Sequence, residues 1–346
     1  MSRSQEPPHR LFFPFGNPFR ARTPKGSKLN SKLVFLLATF EDSLAEGLRK
    51  LTPKSENDIL SFSWMALAMK LLCETHKDVK TLIEELELPV SDWDEKWLDE
   101  YLDISLKLLD ICNDFSSELS QLNQGHLVLR CALHNLASTS SNQFVHARSS
   151  LDGWNQHISN RTSRVKSHSP ILDRLKESLD LPKVQKNSAK GKVLMHVMYG
   201  VKVVTLFICS VLASAFAGSS VSLLSINIPD TYRWAQAFTE LQKNVNSSGR
   251  STVWRERDAV DESVKKLHSM IQGNVDGGMK GQEFQNLVVD LGREAEKLTQ
   301  GVDHLTKQVD EFFHIVLSGR DALLSNLRES ETVLDQGSGE LRIRQL

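Results

Sequence analysis

The chain has 346 residues, of which 40% are hydrophobic, enough for the core of one large domain or two modest ones. Its 42 Lys and Arg residues are balanced by 43 Asp and Glu residues, so the overall charge gives no reason to expect a nucleic-acid partner. The four cysteines lie far apart with no CxxC pair, which argues against a disulfide framework or a zinc site and indicates a reducing compartment.

Residues 1–28 are predicted to be a basic, aromatic N-terminal tail. Residues 1–40 hold seven Lys and Arg residues and the single acid Glu6. We expect no secretory signal, because no apolar run follows the first basic residues. Three interpretations stay open: a flexible tail, a plastid or mitochondrial transit peptide, and a peripheral contact of Phe12, Phe13 and nearby cations with an anionic bilayer.

Residues 29–160 are predicted to form an N-terminal helical half. Pro53 and Pro89 end the first two helices, and Ser91 followed by Asp94 is typical of a helix start. A turn is expected at Asn123–Gly125, where a polar stretch ends in glycine. Apolar residues at three- and four-residue steps predict helices over residues 29–51, 57–88, 91–119, 126–136 and 144–158.

Residues 161–192 are predicted to be a basic, serine-rich connection. The segment contains Pro170 and Pro182, and it has room for one short helix near Ile171–Leu179.

Residues 193–228 are predicted to form an apolar helix. No charged side chain occurs between Val203 and Pro229, although Lys202 and His196 precede that stretch. The length suffices to cross a bilayer, with Lys202 reaching the interface. The same composition suits a helix buried in a bundle, or a hairpin or shallow insertion, and all three interpretations stay open.

Residues 229–329 are predicted to form a C-terminal helical half that packs on the first. Helices are expected over Trp234–Leu241 and Val253–Ile271, and a heptad pattern runs from Leu291 to Val316 and on through Leu327. Residues 330–346 are predicted to be disordered. The fold class is therefore all-α: an elongated multi-helix bundle with a long C-terminal heptad helix and one very hydrophobic central helix.

Motifs for chemistry are missing from the sequence. It contains no Walker-type phosphate loop, dinucleotide fingerprint, HExxH, GxSxG or kinase signature. His126, Cys131 and His134 lie on neighbouring helix faces, but no fourth metal ligand lies near them, so they are interpreted as ordinary helix residues. We predict no catalytic residue, cofactor or metal, and therefore no enzyme.

The sequence instead predicts two kinds of contact site. The lysines are expected to contact a membrane or an acidic partner, and the heptad stripe is expected to pair with partner helices. We expect protein partners and a membrane, with a small apolar ligand between helices as a further option. The candidate residues are Lys190, Lys192, Lys202, Val203, Phe207, Leu212, Leu298, Val302, Leu305, Val309 and Phe312.

Four blocks of sequence resemble the plant BYPASS family. They are Pro14–Phe19, Pro89–Ser105, Asn187–Met195 with Tyr199–Lys202, and Phe313–Asp321, and the similarity extends over nearly the whole chain. The resemblance implies a developmental regulator that restrains a mobile root-derived signal dependent on carotenoid synthesis. It brings no catalytic residues, because none are established for the family. It implies a location in plastids or at endomembranes, and it links distant relatives to exocyst-type vesicle tethering.

The leading hypothesis is a non-enzymatic, membrane-associated regulator of root and shoot development that acts through helix-mediated contacts. This regulator is expected at the cytoplasmic face of the endoplasmic reticulum or another endomembrane, or in plastids. The alternatives are an enzyme or carrier for a small apolar metabolite held in an inter-helix cavity, and an exocyst-associated adaptor.

Overall fold

The computed structural model describes residues 30–53, 58–86, 95–137, 142–159, 176, 189–217, 225–248, 255–273 and 281–343, with the side chains of the last segment described to residue 325. These residues form eight α-helices and no β-strand, which confirms the all-α prediction. The helices are α1 (Ser31–Leu51), α2 (Phe62–Leu86), α3 (Glu95–Ala137), α4 (Gln143–Ser159), α5 (Ala189–Ala217), α6 (Ala235–Ser248), α7 (Arg255–Gly273) and α8 (Gln282–Ile343).

The first helix keeps close to its predicted bounds, whereas the second begins at Phe62, later than the predicted residue 57. The side chain of Asn30 caps α1 by accepting a hydrogen bond from the Lys32 amide at 3.2 Å. The indole Nε1 of Trp64 in α2 donates to the Leu51 carbonyl at 2.9 Å, so the end of α1 is tied to the start of its neighbour. This bond satisfies one of the carbonyls that a helix end leaves without an intrahelical partner.

The third helix is longer than predicted, because the expected turn at Asn123–Gly125 does not occur. Gly125 lies inside α3, where a Cβ atom would come within 2.8 Å of the Trp154 ring and 2.9 Å of the His157 ring. Both rings belong to α4, which returns along α3. The glycine therefore serves a close helix–helix approach and not a turn. The short helix expected near Ile171–Leu179 lies outside the described residues except for Lys176.

The last helix also differs from its prediction at its C-terminal end. Its heptad stripe packs against α2 and α3, and α7 lies on another side of it. The helix continues to Ile343, into the segment that was predicted to be disordered. The sustained apolar period ends near Leu327, so the sequence pattern does not predict the extension.

The apolar helix α5 lies at the centre of the bundle, in contact with α1, α2 and α3. From Val193 to Phe216 every residue is buried except His196 and Ser214, which are half-buried. By length and composition α5 could cross a bilayer, yet 94% of its most apolar stretch is covered by the rest of the bundle. Buried apolar residues from all eight helices join it in one continuous core.

Candidate functional site

The predicted contact residues on α5 do not share one surface. Lys190 is half-buried and Lys192 is exposed at the start of the helix, whereas Lys202, about three turns further on, is only 5% exposed. Burial lowers the pKa of Lys202 to about 8. Val203, Phe207 and Leu212 are fully buried. In the folded bundle, Lys202 and these three apolar residues contact neighbouring helices and are not available to a bilayer.

The heptad stripe of α8 is enclosed in the same way. It packs on α2 and α3 within the chain, which leaves this face of α8 without free surface for an outside helix. Its members are each at most 1% exposed: Leu298, Val302, Leu305, Val309 and Phe312.

A buried cluster of polar and aromatic residues fixes α5 in the bundle. Glu41 of α1, 5% exposed, places its Oε1 3.0 Å from Nε2 of His196, and it accepts a hydrogen bond from the Arg233 amide at 3.3 Å. The Tyr232 ring lies between His196 and Tyr199, with centroid distances of 4.4 and 4.9 Å. Burial raises the pKa of both tyrosines. The cluster joins three parts of the chain that are distant in sequence.

A glycine beside this cluster brings α5 close to its neighbours. A Cβ atom at Gly200 would lie 3.2 Å from Leu44 of α1 and 3.5 Å from the Trp234 indole. Trp234 is fully buried. This side of α5 is therefore fitted to particular side chains of the bundle, as in the core of a water-soluble domain.

Two of the blocks that carry the family resemblance meet between α3 and α8. Arg320 donates through Nη1 to the Leu102 carbonyl at 2.6 Å and to the Ser105 hydroxyl at 3.0 Å. One residue earlier, a Cβ atom at Gly319 would lie 2.6 Å from the Tyr101 hydroxyl. These block residues are placed to hold two helices together.

A groove of about 370 Å³ opens between α3 and α8. Nδ1 of His126 lies 2.7 Å from the Thr299 hydroxyl, which also donates to the Ala295 carbonyl at 3.0 Å. Burial, assisted by the charge of Arg130, lowers the pKa of His126. The groove is lined by His126, Arg130, Leu133, Gly292, Ala295, Glu296 and Thr299.

No residue of this groove was predicted from the sequence to bind a ligand. His126 was considered with Cys131 and His134 as a metal ligand, but the described residues contain no group of three potential ligands placed to hold a metal ion. Two further polar residues, Thr299 and Glu296, come from a helix more than a hundred and fifty residues away in sequence. Nothing in their local sequence pattern marks them.

Comparison with known proteins identifies the family. A family model described as Protein BPS1 matches residues 68–325, most of the helical bundle. The chain belongs to the BPS1 family. The BPS1 match supports a BYPASS-like plant developmental regulator, and it favours a regulatory protein over an enzyme.

Individual relatives match along most of their length. The chain is 52% identical over 336 residues to Protein BPS1, chloroplastic, of Arabidopsis thaliana, covering 95% of this chain and 93% of the relative. It is 35% identical over 448 residues to UPF0496 protein 4 of Oryza sativa subsp. japonica, covering 96% and 98%. Protein ROH1D of Arabidopsis thaliana is 22% identical over 360 residues, with coverages of 86% and 89%. No solved structure matches the chain.

Proposed function

We propose that this BPS1-family protein is a non-enzymatic regulator that restrains a mobile, carotenoid-dependent signal passing from root to shoot. It acts through helix-mediated contacts at a membrane surface, and α5 stays inside the bundle while it does so. The family membership supports the developmental part of the proposal. The enclosure of α5 by three neighbouring helices is the observation that carries the mode of action.

Withdrawal of α5 into a bilayer would break specific contacts as well as apolar packing. Glu41 would lose its His196 partner, and the Tyr232 ring would lose its contacts with the rings of His196 and Tyr199. A buried polar group that loses its partner costs about 1–3 kcal/mol. A spanning state would therefore have to offset these losses and the exposure of apolar surface on α1, α2 and α3.

The start of α1 provides a surface for peripheral membrane contact. Phe35 is 68% exposed and Val34 is 51% exposed, and Lys32 is exposed one turn away. The preceding 28 residues are rich in Arg, Lys and Phe. Apolar side chains inserted at the headgroup level beside several cations suit a bilayer that contains anionic lipid.

Vesicle sedimentation tests this contact. Phe35→Ser should weaken binding to phosphatidylserine-containing vesicles by about tenfold, because one inserted phenyl group is lost. Val289→Ser is the matched control, since Val289 is 66% exposed on α8, far along the chain from the basic segment. Equal binding of the two variants would contradict this surface.

Carbonate extraction combined with glycosylation scoring tests the position of α5. If α5 stays inside the bundle, carbonate should release the protein into the supernatant. Asn246, which is exposed on α6, should then carry no sugar. Retention in the pellet with a sugar on Asn246 would establish a spanning helix and overturn the mode of action. Pellet retention without a sugar would indicate a hairpin and overturn it equally.

A plastid location is the alternative setting for the same regulator. One relative is named chloroplastic, and the N-terminal segment has the Arg and Ser content of a transit peptide. Import into isolated chloroplasts with cleavage before Leu29 would establish this location. Uncleaved protein left outside the organelle would exclude it.

A further inference from the structure

We propose that the groove between α3 and α8 is a binding site for a small amino- or hydroxycarboxylate. None of the residues that line the groove belongs to α5 or to the start of α1, so the site goes beyond the proposed function. Its volume of about 370 Å³ falls in the range of small-molecule sites.

Two opposite charges line the groove. Arg130 on α3 and Glu296 on α8 are both exposed, and both act electrostatically on His126, as does Asp303. The planar guanidinium of arginine matches a carboxylate with two parallel hydrogen bonds. A carboxylate acceptor from the ligand therefore suits Arg130. The Glu296 carboxylate accepts a hydrogen bond from the Gln300 side chain at 2.9 Å and has further lone pairs that can accept from a ligand donor.

The hydrogen bonds of Thr299 set the role of His126. Because the Thr299 hydroxyl donates its proton to the Ala295 carbonyl, it accepts from Nδ1 of His126. The neutral ring then has its proton on Nδ1 and leaves Nε2 as an acceptor. Nε2 of His126 and the remaining lone pairs of Glu296 can both accept from a hydroxyl or ammonium group on the ligand that Arg130 holds.

Gly292 keeps the floor of the groove open. A Cβ atom there would meet only Leu133, at 4.0 Å, so packing does not require glycine at this position. Glycine inside a helix costs about 1 kcal/mol relative to alanine. A leucine side chain at residue 292 would instead extend over Leu133 and Ala295, the apolar residues that would contact the body of the ligand.

Saturation-transfer NMR on the full chain tests the site with four related probes. Leucine and its hydroxy analogue leucate carry both the carboxylate and the donor. Isocaproate lacks the donor, and leucinamide lacks the carboxylate. We expect saturable binding of leucine or leucate, weaker binding of isocaproate, and none of leucinamide.

Two variants with matched controls assign the binding to this groove. Arg130→Gln should weaken it by about tenfold or more, the effect of losing a charged hydrogen-bond partner, and Gly292→Leu should abolish it. Arg148→Gln, an exposed arginine on α4, and Gly281→Leu, where nothing lies within 4 Å of an added Cβ, should leave it unchanged. Vesicle binding should be the same in all four variants, so this test is independent of the membrane proposal.

Three results would overturn the site. They are the lack of saturable binding by both leucine and leucate, binding that survives Arg130→Gln and Gly292→Leu, and binding of leucinamide as strong as that of leucine. Circular dichroism of each variant confirms the fold; Gly292→Leu improves helix propensity and fills open space, so it should remain folded.

Discussion

His76 is a buried histidine whose surroundings strongly disfavour its protonated, charged form. It lies on α2, only 6% exposed, with its ring edge-on to Phe312 at a centroid distance of 5.1 Å. Its Nε2 has no hydrogen-bond partner within the described part of the chain. Burial lowers the pKa of this histidine to about 4, so the ring is neutral at pH 7.

The stability of the protein should therefore fall on mild acidification. The unfolded chain takes up a proton at His76 near pH 6.5, whereas the folded chain does so only near pH 4. Between these two pH values, His76 therefore lowers the free energy of unfolding by about 3 kcal/mol, and below pH 4 its contribution does not change further. His76→Leu should remove that part of the decrease in urea unfolding at pH 7 and pH 4.5. His134→Leu, at an exposed position on α3, should retain the full decrease. An identical decrease in His76→Leu and the unmodified protein would contradict the assignment.

Lys202 shows why single residues could not be placed from sequence. A lysine at the edge of an apolar run suits a membrane interface, where its long side chain can reach water. In the bundle the same lysine is covered by other helices. The difference depends on tertiary neighbours, and the periodicity of α5 itself contains no information about them.

At the scale of helices, glycine contacts set how closely the elements pack. A Cβ atom at Gly301 of α8 would lie 2.8 Å from Cβ of Phe62 in α2. Because Cβ of Phe62 is fixed to the backbone, rotation of the side chain does not relieve this clash. Gly292, on the same helix, has open space around it. Substitution by alanine is therefore expected to have opposite effects on stability at Gly301 and at Gly292.

Gly301→Ala should destabilise the protein by about 1–3 kcal/mol, because α2 and α8 must separate to admit the methyl group. Gly292→Ala should stabilise it by about 1 kcal/mol, because only the helix propensity of α8 changes. Chemical denaturation of both variants measures the two effects. Stabilisation by Gly301→Ala would show that α2 and α8 do not approach at this point.

The helices themselves were largely predictable from sequence. The apolar stripes of α1, α2 and α8 recur at helical spacing, and Pro53 and Pro89 mark breaks between elements. The turn expected at Gly125 was wrong because glycine has two uses, chain reversal and close packing, and only the position of Trp154 decides between them. The groove was not predictable, since its two walls come from distant segments of the chain.

At the scale of the whole molecule, α5 is the feature on which the proposed mode of action depends. A uniformly apolar helix is stable both in hydrocarbon and in a protein core, so its sequence left the alternatives open. The structure surrounds it with α1, α2 and α3 and joins it to Glu41 and Tyr232. The account therefore depends on a bundle that folds around α5 in water.

Thiol labelling of protein prepared without detergent tests this claim most directly, because Cys209 lies in the middle of α5. Cys209, Cys73 and Cys112 are buried, whereas Cys131 is exposed on α3. Burial raises the pKa of Cys209 to about 12, and the thiolate is the reactive form. The account predicts rapid reaction of Cys131 alone, with Cys209 reacting only after the chain is unfolded in urea. Reaction of Cys209 at the rate of Cys131, or a chain that stays in solution only with detergent, would contradict it.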